Sequence, residues 1–291
     1  MIGPWLEHRF GGKVVKLPLD GGFTCPNRDG TVGTGGCIFC SAAGSGESAV
    51  PVTGIRQQMT AIQEKWPGCE RYLAYFQNYT STYAPVDYLR PLYEAALAED
   101  GVIGLAIATR PDCLPEDVLN LLSEINERTF LWVELGLQTI HGDSINRGYP
   151  LEVYDQAVQK LKARGIRCVT HLLFGLPGES RRSMLDSVRY VVREDLFGLK
   201  FHMLNVVKGS RLAETDPSYL PFETPEEYIE LILDALRIVP PEVTIHRLTG
   251  DVPYGALLNP PWAYQKRTVT NAIFREMERR DLWQGMDREM P

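Results

Sequence analysis

A chain of 291 residues carries only six cysteines, too sparse a set for a disulfide scaffold. No run of about 18 apolar residues occurs, so no segment reads as a membrane-spanning helix. The first residues, Met1 to Phe10, lack the basic-then-apolar layout of a secretory signal, and the expected compartment is the cytoplasm. Positive charge is in the minority: the net charge is −7, which argues against indiscriminate nucleic-acid binding over the whole surface. A local basic face stays open. Internal repeats, low-complexity tracts and Gly/Ser linkers are also missing, so nothing marks a clean second domain. What is present is ordinary for a globular protein, with 44% hydrophobic and 23% charged residues. The length suits one large domain or two average ones.

The cysteines divide unevenly. Cys69, Cys113 and Cys168 stand apart and read as small apolar fillers, a fourth ligand among them being the alternative. The other three, Cys25, Cys37 and Cys40, fall within sixteen residues as C-x11-C-x2-C. They lie in the glycine-rich stretch from Gly21 to Cys40, and glycine lets a backbone wrap closely around an inorganic object. Three thiolates are too few for a closed structural zinc site, which takes four ligands. They suit an iron–sulfur cluster with one iron left open. A zinc site completed by a distant histidine or cysteine is one alternative; an iron–sulfur redox sensor or electron carrier is another.

Around this loop, strand and helix signals alternate. Strands are expected at Lys13 to Leu19, Tyr72 to Phe76, Val102 to Ile107, Phe130 to Leu137, Ile166 to Phe174 and Leu199 to Val206. Helices are expected at Thr53 to Lys65, Val86 to Leu97, Glu116 to Asn126, His141 to Arg147, Leu151 to Arg164, Ser180 to Glu194 and Pro225 to Val239, after a small-residue stretch from Ser41 to Gly46. Near-continuous apolar strands alternating with helices call for a parallel sheet covered on both faces. The expected fold is α/β, a partial (β/α)6 TIM-like barrel, with a doubly wound sheet as the alternative. In either, chemistry belongs at the carboxyl ends of the strands. The tail holds Val243 to Leu248, a Gly/Pro-rich loop to Pro261 and a helix near Tyr264 to Asp281. The expected division is a catalytic barrel over residues 1–240, with a cluster loop at 21–46, and an extension over 241–291 packed on it.

The cysteine loop resembles that of the radical S-adenosylmethionine superfamily. The spacing departs from the superfamily's commonest, C-x3-C-x2-C, and is similar to that of a subgroup resembling the catalytic subunit of elongator. The resemblance extends over the chain, from Gly22-Phe23-Thr24-Cys25 to His246-Arg247-Leu248-Thr249-Gly250-Asp251-Val252-Pro253 and Pro260-Pro261-Trp262, a signature of small bacterial relatives without the acetyltransferase domain. It implies that Cys25, Cys37 and Cys40 ligate a [4Fe–4S] cluster whose open iron binds S-adenosylmethionine. It further implies that one electron, from a donor such as flavodoxin or ferredoxin, cleaves that cofactor to a 5′-deoxyadenosyl radical.

Further residues take their roles from the same resemblance. Gln77, Asn78 and Tyr79 end the second strand where the superfamily has Gly-Gly-Glu, whose backbone meets the cofactor's amino group. Gln138 and Arg147 match a glutamine that reaches the ribose and an arginine that takes the carboxylate, a task for which a guanidinium fork is suited. Gly175, in Leu173-Phe174-Gly175-Leu176-Pro177, matches the motif whose backbone packs beside the adenine. His171 stands where relatives carry an aspartate facing the cofactor; a satisfied core histidine is the other reading. His202 and Lys208 are candidates for substrate contact.

Four features keep two readings each. Glu134, among apolar neighbours, is a site residue or half of a structural pair. Arg110 and Asp112 belong to a segment, Ala108 to Asp112, that resembles Ile-Glu-Thr-Arg-Pro-Asp of the elongator-like relatives with Ala108 in place of the glutamate, or simply pair with each other. Glu179 and Ser180 serve the site or cap a helix. Lys266, Arg267, Arg275, Arg279 and Arg280 contact RNA phosphates or form a solvated, internally paired face. For the substrate, the elongator resemblance implies modification of the tRNA wobble uridine, specifically processing of a carboxymethylaminomethyl group.

Overall fold

A computed structural model of the protein describes residues 1–41, 54–252 and 254–287. Most of the expected Ser41 to Gly46 stretch, and Pro253 of the C-terminal signature, lie outside the described residues. In chain order the elements are α1 (Ile2–Phe10), β1 (Val14–Leu19), α2 (Ile55–Gln63), β2 (Arg71–Phe76), α3 (Val86–Leu97), β3 (Val102–Thr109), α4 (Glu116–Arg128), β4 (Phe130–Gln138), α5 (Leu151–Ala163) and β5 (Arg167–Phe174). They continue as α6 (Arg181–Val191), β6 (Gly198–Met203), β7 (Val206–Val207), α7 (Arg211–Thr215), α8 (Pro225–Ile238), β8 (Thr244–Arg247), β9 (Leu257–Asn259) and α9 (Lys266–Arg279). None of the helices among the described residues is long and apolar enough to cross a membrane.

The strands form a seven-stranded sheet in the order β1-β2-β3-β4-β5-β6-β8. The β1–β2, β2–β3, β3–β4 and β6–β8 ladders are parallel. β2, β3 and β4 are buried almost residue after residue, as a sheet covered on both faces requires. β1, at the end of the order, alternates instead, with Val15, Leu17 and Leu19 buried.

The chain forms two compact units. The first comprises Met1–Gly36, Ala43–Gly136 and Gly148–Val169. Its core includes the fully buried Trp132, Tyr93, Phe76, Leu17 and Leu19. α1, a helix not among those expected, sets Trp5 and Phe10 against Phe130 at ring-centroid distances of 5.8 and 5.2 Å. It therefore covers the amino end of β4, the end away from the expected chemistry. The second unit comprises Cys37–Ala42, Leu137–Arg147 and Thr170–Pro291. There Phe174 and Phe201 stack at 5.4 Å within the core of β5 and β6. α8 begins at a Thr224 cap followed by Pro225, whose missing N–H is no loss at a first helical position.

Three expectations need correcting. The segment after residue 240 is not only an extension: β8 pairs in parallel with β6 as the seventh strand of the sheet. The sixth strand stops at Met203, and Val206–Val207 pairs instead with Leu257–Asn259 in a separate antiparallel ribbon. The stretch His141 to Arg147 is a short 3-10 turn over Gly142–Ile145, closed by Asn146 in a left-handed conformation. With Gly142 inside it and Gly148 beyond, that stretch has too few residues for a stable helix.

Candidate functional site

In the first unit the chain leaves β1 and folds tightly around Cys25. The Cys25 carbonyl accepts from the N–H groups of Arg28 (2.8 Å) and Asp29 (3.1 Å), and the Pro26 carbonyl from Val32 (2.8 Å) and Gly33 (3.2 Å). Asn27 is buried inside this turn, and Gly33 and Gly148 leave it room: a Cβ on either would stand 2.4 or 3.2 Å from Asn27 Oδ1. The exit of β2 is stitched to the same turn, because Thr80 N–H donates to Thr24 O at 3.3 Å. Ser81 N–H in turn donates to Ala108 O at 3.0 Å, at the end of β3.

Gln77, Asn78 and Tyr79 lie on this β2 exit. Asn78 and Thr80 are buried, and Asn78 Oδ1 and Thr80 Oγ1 have no hydrogen-bond partner among the described residues. Buried polar atoms of this kind are costly unless something satisfies them. Tyr79 has φ of 54°, a left-handed conformation that glycine would adopt freely. The Arg28 guanidinium lies 5.6 Å from the centre of the Tyr79 ring.

Arg110 and Glu134 both have bonded partners here. Arg110 and Asp112 pair in bidentate fashion at 2.8 and 2.6 Å, with Arg110 also 5.0 Å above the Tyr149 ring. Burial works against the Arg110 charge, but Asp112 outweighs it and holds its pKa above the usual arginine value. Burial, then Asp112, pushes the Cys113 thiol well up, which suits an apolar filler rather than a thiolate ligand. Glu134, fully buried, accepts from Tyr75 Oη at 2.7 Å and Trp132 Nε1 at 2.8 Å. The first of these bonds ties β4 to β2.

The second unit holds Cys37 and Cys40. Cys40 N–H donates to Cys37 O at 3.1 Å, closing the turn between them. Ile38 anchors that turn: its N–H donates to Ile145 O at 3.3 Å and its carbonyl accepts from Leu212 at 2.9 Å. Ile38 and Phe39 pack on a cluster of Ile145, Leu173, Leu176, Leu204, Val206 and Leu212. All three loop cysteines are partly exposed and none forms a disulfide. Cys25 belongs to the first unit and Cys37 and Cys40 to the second. Among the described residues no three His, Cys, Asp or Glu side chains stand ready as a metal site.

Gln138, the last residue of β4, has φ of 66°. Arg147 holds the carbonyls on either side of it, Nη1 donating to Leu137 O at 2.8 Å and Thr139 O at 2.7 Å. Arg147 is buried, and Gly142 makes its space, since a Cβ there would lie 2.3 Å from the guanidinium. The structure thus makes Arg147 a clamp on the strained exit of β4. The Thr139 hydroxyl donates to Glu179, and Ser180, not Glu179, caps α6 by accepting from Ser183 N–H at 3.1 Å.

His171 on β5 and His202 on β6 lie ring to ring at 5.1 Å, both partly exposed. Lys208 is exposed in the turn after β7, its backbone N–H donating to Ala256 O at 2.9 Å. Gly175 has φ of +91° and no room for a side chain, as a Cβ would stand 2.7 Å from Pro221 and 2.8 Å from Phe222. Its carbonyl accepts from Tyr219 Oη at 3.0 Å. One buried residue escaped the sequence reading: Lys200, fully buried in β6. Its signal was there, a lysine between the apolar Leu199 and Phe201.

Comparison with known proteins fixes the class. Residues 28–191 match the radical SAM superfamily and residues 197–279 its radical SAM C-terminal domain. The chain belongs to the radical SAM superfamily. It is 46% identical over 289 residues to the Bacillus subtilis (strain 168) protein YtqA, covering 96% of this chain and 89% of that one. A tRNA uridine(34) acetyltransferase of Methanocaldococcus jannaschii is 28% identical over 193 residues, 64% of this chain and 34% of the relative. The solved archaeal Methanocaldococcus infernus Elp3 superimposes with a TM-score of 0.68 at 19% identity, covering 93% of this chain and 64% of that one, and so shares the α/β partial-barrel fold. The protein is a radical SAM enzyme, and its cofactors are S-adenosylmethionine and a 4Fe–4S cluster. The zinc-module and electron-carrier alternatives give way to that membership. The residues suit those groups in kind: Cys37 and Cys40 share one turn of the second unit outside any disulfide, with the thiol chemistry that iron–sulfur ligation uses, and in the first unit Asn78 Oδ1 and Thr80 Oγ1 are buried at a strand end without a hydrogen-bond partner among the described residues.

Proposed function

We propose that this radical SAM enzyme modifies the side chain of the wobble uridine of tRNA, processing a carboxymethylaminomethyl group there. The relationship to the tRNA uridine(34) acetyltransferase carries this reading. In it, Cys25, Cys37 and Cys40 ligate the cluster. Gln77, Asn78 and Tyr79 in the first unit, and Gln138, His171 and Gly175 in the second, position S-adenosylmethionine. Arg147 acts through Gln138 by fixing the backbone on both sides of it. Bound together, the two groups supply one-electron chemistry that ends in hydrogen abstraction from the substrate. His171 and His202, adjacent and partly exposed, are the candidates for holding or moving a proton there, with Lys208 a more peripheral one.

An exposed aromatic pair in the second unit supports an RNA partner. Tyr254 is 98% exposed and rests 5.9 Å from Tyr264, just ahead of Lys266 and Arg267. Unstacked RNA bases use such platforms beside cations.

The test is anaerobic reduction of the enzyme with S-adenosylmethionine and tRNA undermodified at the wobble uridine, following 5′-deoxyadenosine. That tRNA, and not fully modified tRNA, should stimulate its formation. A small molecule that stimulates where no tRNA does would sink the substrate assignment. Cys37→Ala should abolish both the iron–sulfur absorbance and cleavage; retention of both would remove Cys37 from the ligand set.

A further inference from the structure

We propose that Lys200, Arg247 and Lys266, grouped about Asp251 in the second unit, form a recognition site for an anionic oxygen group of the substrate, a carboxylate or a phosphate. The proposal does not depend on the substrate being tRNA.

The site starts from a fault in a strand ladder. β6 and β8 pair as Gly198↔Thr244 and Leu199↔Ile245, and regular continuation would set His246 opposite Lys200. A register shift intervenes, and Arg247 stands there instead. Irregularities of this kind re-aim side chains and recur beside active sites. Here the result is two cations on opposed positions of neighbouring strands, which repel unless an anion lies near. Lys200 is only 2% exposed, and lysine is almost never buried so completely without a compensating group.

Asp251, on the loop leaving β8, is the anion the protein supplies. Arg247 Nη2 lies 2.8 Å from its Oδ2, and Lys266 Nζ bonds its Oδ1. Burial would raise the Asp251 carboxyl, yet Arg247, Lys266 and Lys200 together hold it below the ordinary aspartate value. Arg247 and Lys266 make no other ion pair among the described residues, so these two cations exceed the carboxylate they share. Arg247, Asp251 and Lys266 all keep part of their side chains exposed, so a ligand can reach them from solvent.

A polar acceptor stands beside the Asp251 loop. Asn205 follows β6, and its buried Oδ1 has no hydrogen-bond partner among the described residues. Gly250 brings the Asp251 loop against it: a Cβ on Gly250 would lie 3.0 Å from Asn205 Nδ2 and 3.3 Å from Met203 O. Cations and an unsatisfied acceptor about one loop suit an anionic group that carries an N–H or O–H close by.

Calorimetric titration of the full-length enzyme tests this, with inorganic phosphate and glycolate as separate probes at matched ionic strength. Wild-type protein should bind at least one; phosphate alone assigns a phosphate, glycolate alone a carboxylate. Lys200→Met and Lys266→Gln should each weaken that binding about 10-fold or more, the loss expected when a charge-assisted hydrogen bond goes. Arg182→Gln, which removes an exposed cation of α6, should change nothing. Lys266 is half-exposed, so its variant keeps the test decisive should Lys200→Met fail to fold. Absence of binding by wild type, or undiminished binding by Lys266→Gln, overturns the site.

Discussion

Several residues here hold conformations or charges that cost stability, and they gather at strand ends. Tyr79 and Gln138 occupy left-handed backbone at the exits of β2 and β4, where a residue with a Cβ pays about 1–2 kcal/mol. Strain of this kind persists where the surroundings over-determine it, often at functional positions. Glu179 belongs to the same group. Burial pushes its carboxyl up, the Thr139 hydroxyl and His141 pull it back, and the net direction is upward from 4.5. A carboxyl raised by folding contributes stability that is fully present below its ordinary value and is lost as the pH rises through its folded value. Glu179→Gln should therefore match wild-type stability near about pH 4 and exceed it at about pH 7. Urea midpoints at the two pH values measure this; an equal difference at both would show that the Glu179 charge does not matter to folding. Gly175 makes the converse point. The sequence marked it through a motif, but only the structure shows the two reasons for glycine, a positive φ and the packing of Pro221 and Phe222.

At the level of elements, legibility followed hydrophobic pattern. α3 falls on the expected residues, Val86–Leu97, and the parallel strands were visible as apolar runs. β8 has only four residues after Pro240-Pro241, and a strand that short gives no period strong enough to join it to a sheet. The two-residue β7 gives even less. The exit of β4 was legible as residues and not as geometry. Gln138 and Arg147 stand out together in the sequence, while the clamp between them depends on a short turn whose residues carry a helical pattern. That clamp predicts its own failure. Arg147→Met removes the donor to two buried carbonyls, at about 1–3 kcal/mol for each group left unsatisfied. Denaturant unfolding should register a total loss of about 2–6 kcal/mol for the two groups, and S-adenosylmethionine affinity should fall with it as Gln138 loses its support. A stable variant with normal affinity would mean that the carbonyls find other donors and that Arg147 does not position the site.

Across the whole molecule, a net charge of −7 restricts how RNA could be held. Contact must be local, and α9 is the basic segment, but most of its cations are already engaged. Arg279 and Arg280 bond Glu276, whose carboxyl they hold down to about 2, and Arg280 also pairs with Glu230. Lys266 is on Asp251. Arg267 and Arg275 are exposed and make no ion pair among the described residues, which leaves them as the cations free to meet phosphates. Each phosphate of a single-stranded segment that a protein neutralises adds about 0.7 to the slope of log affinity against log salt. Combining Arg267→Gln with Arg275→Gln should therefore lower the slope for tRNA by about 1.4, weakening all tRNA sequences alike. Cleavage of S-adenosylmethionine without tRNA should be untouched, since neither residue reaches the cofactor in the proposed arrangement. Filter binding across a salt series gives the slope directly, and an unchanged slope would move the RNA contact off α9.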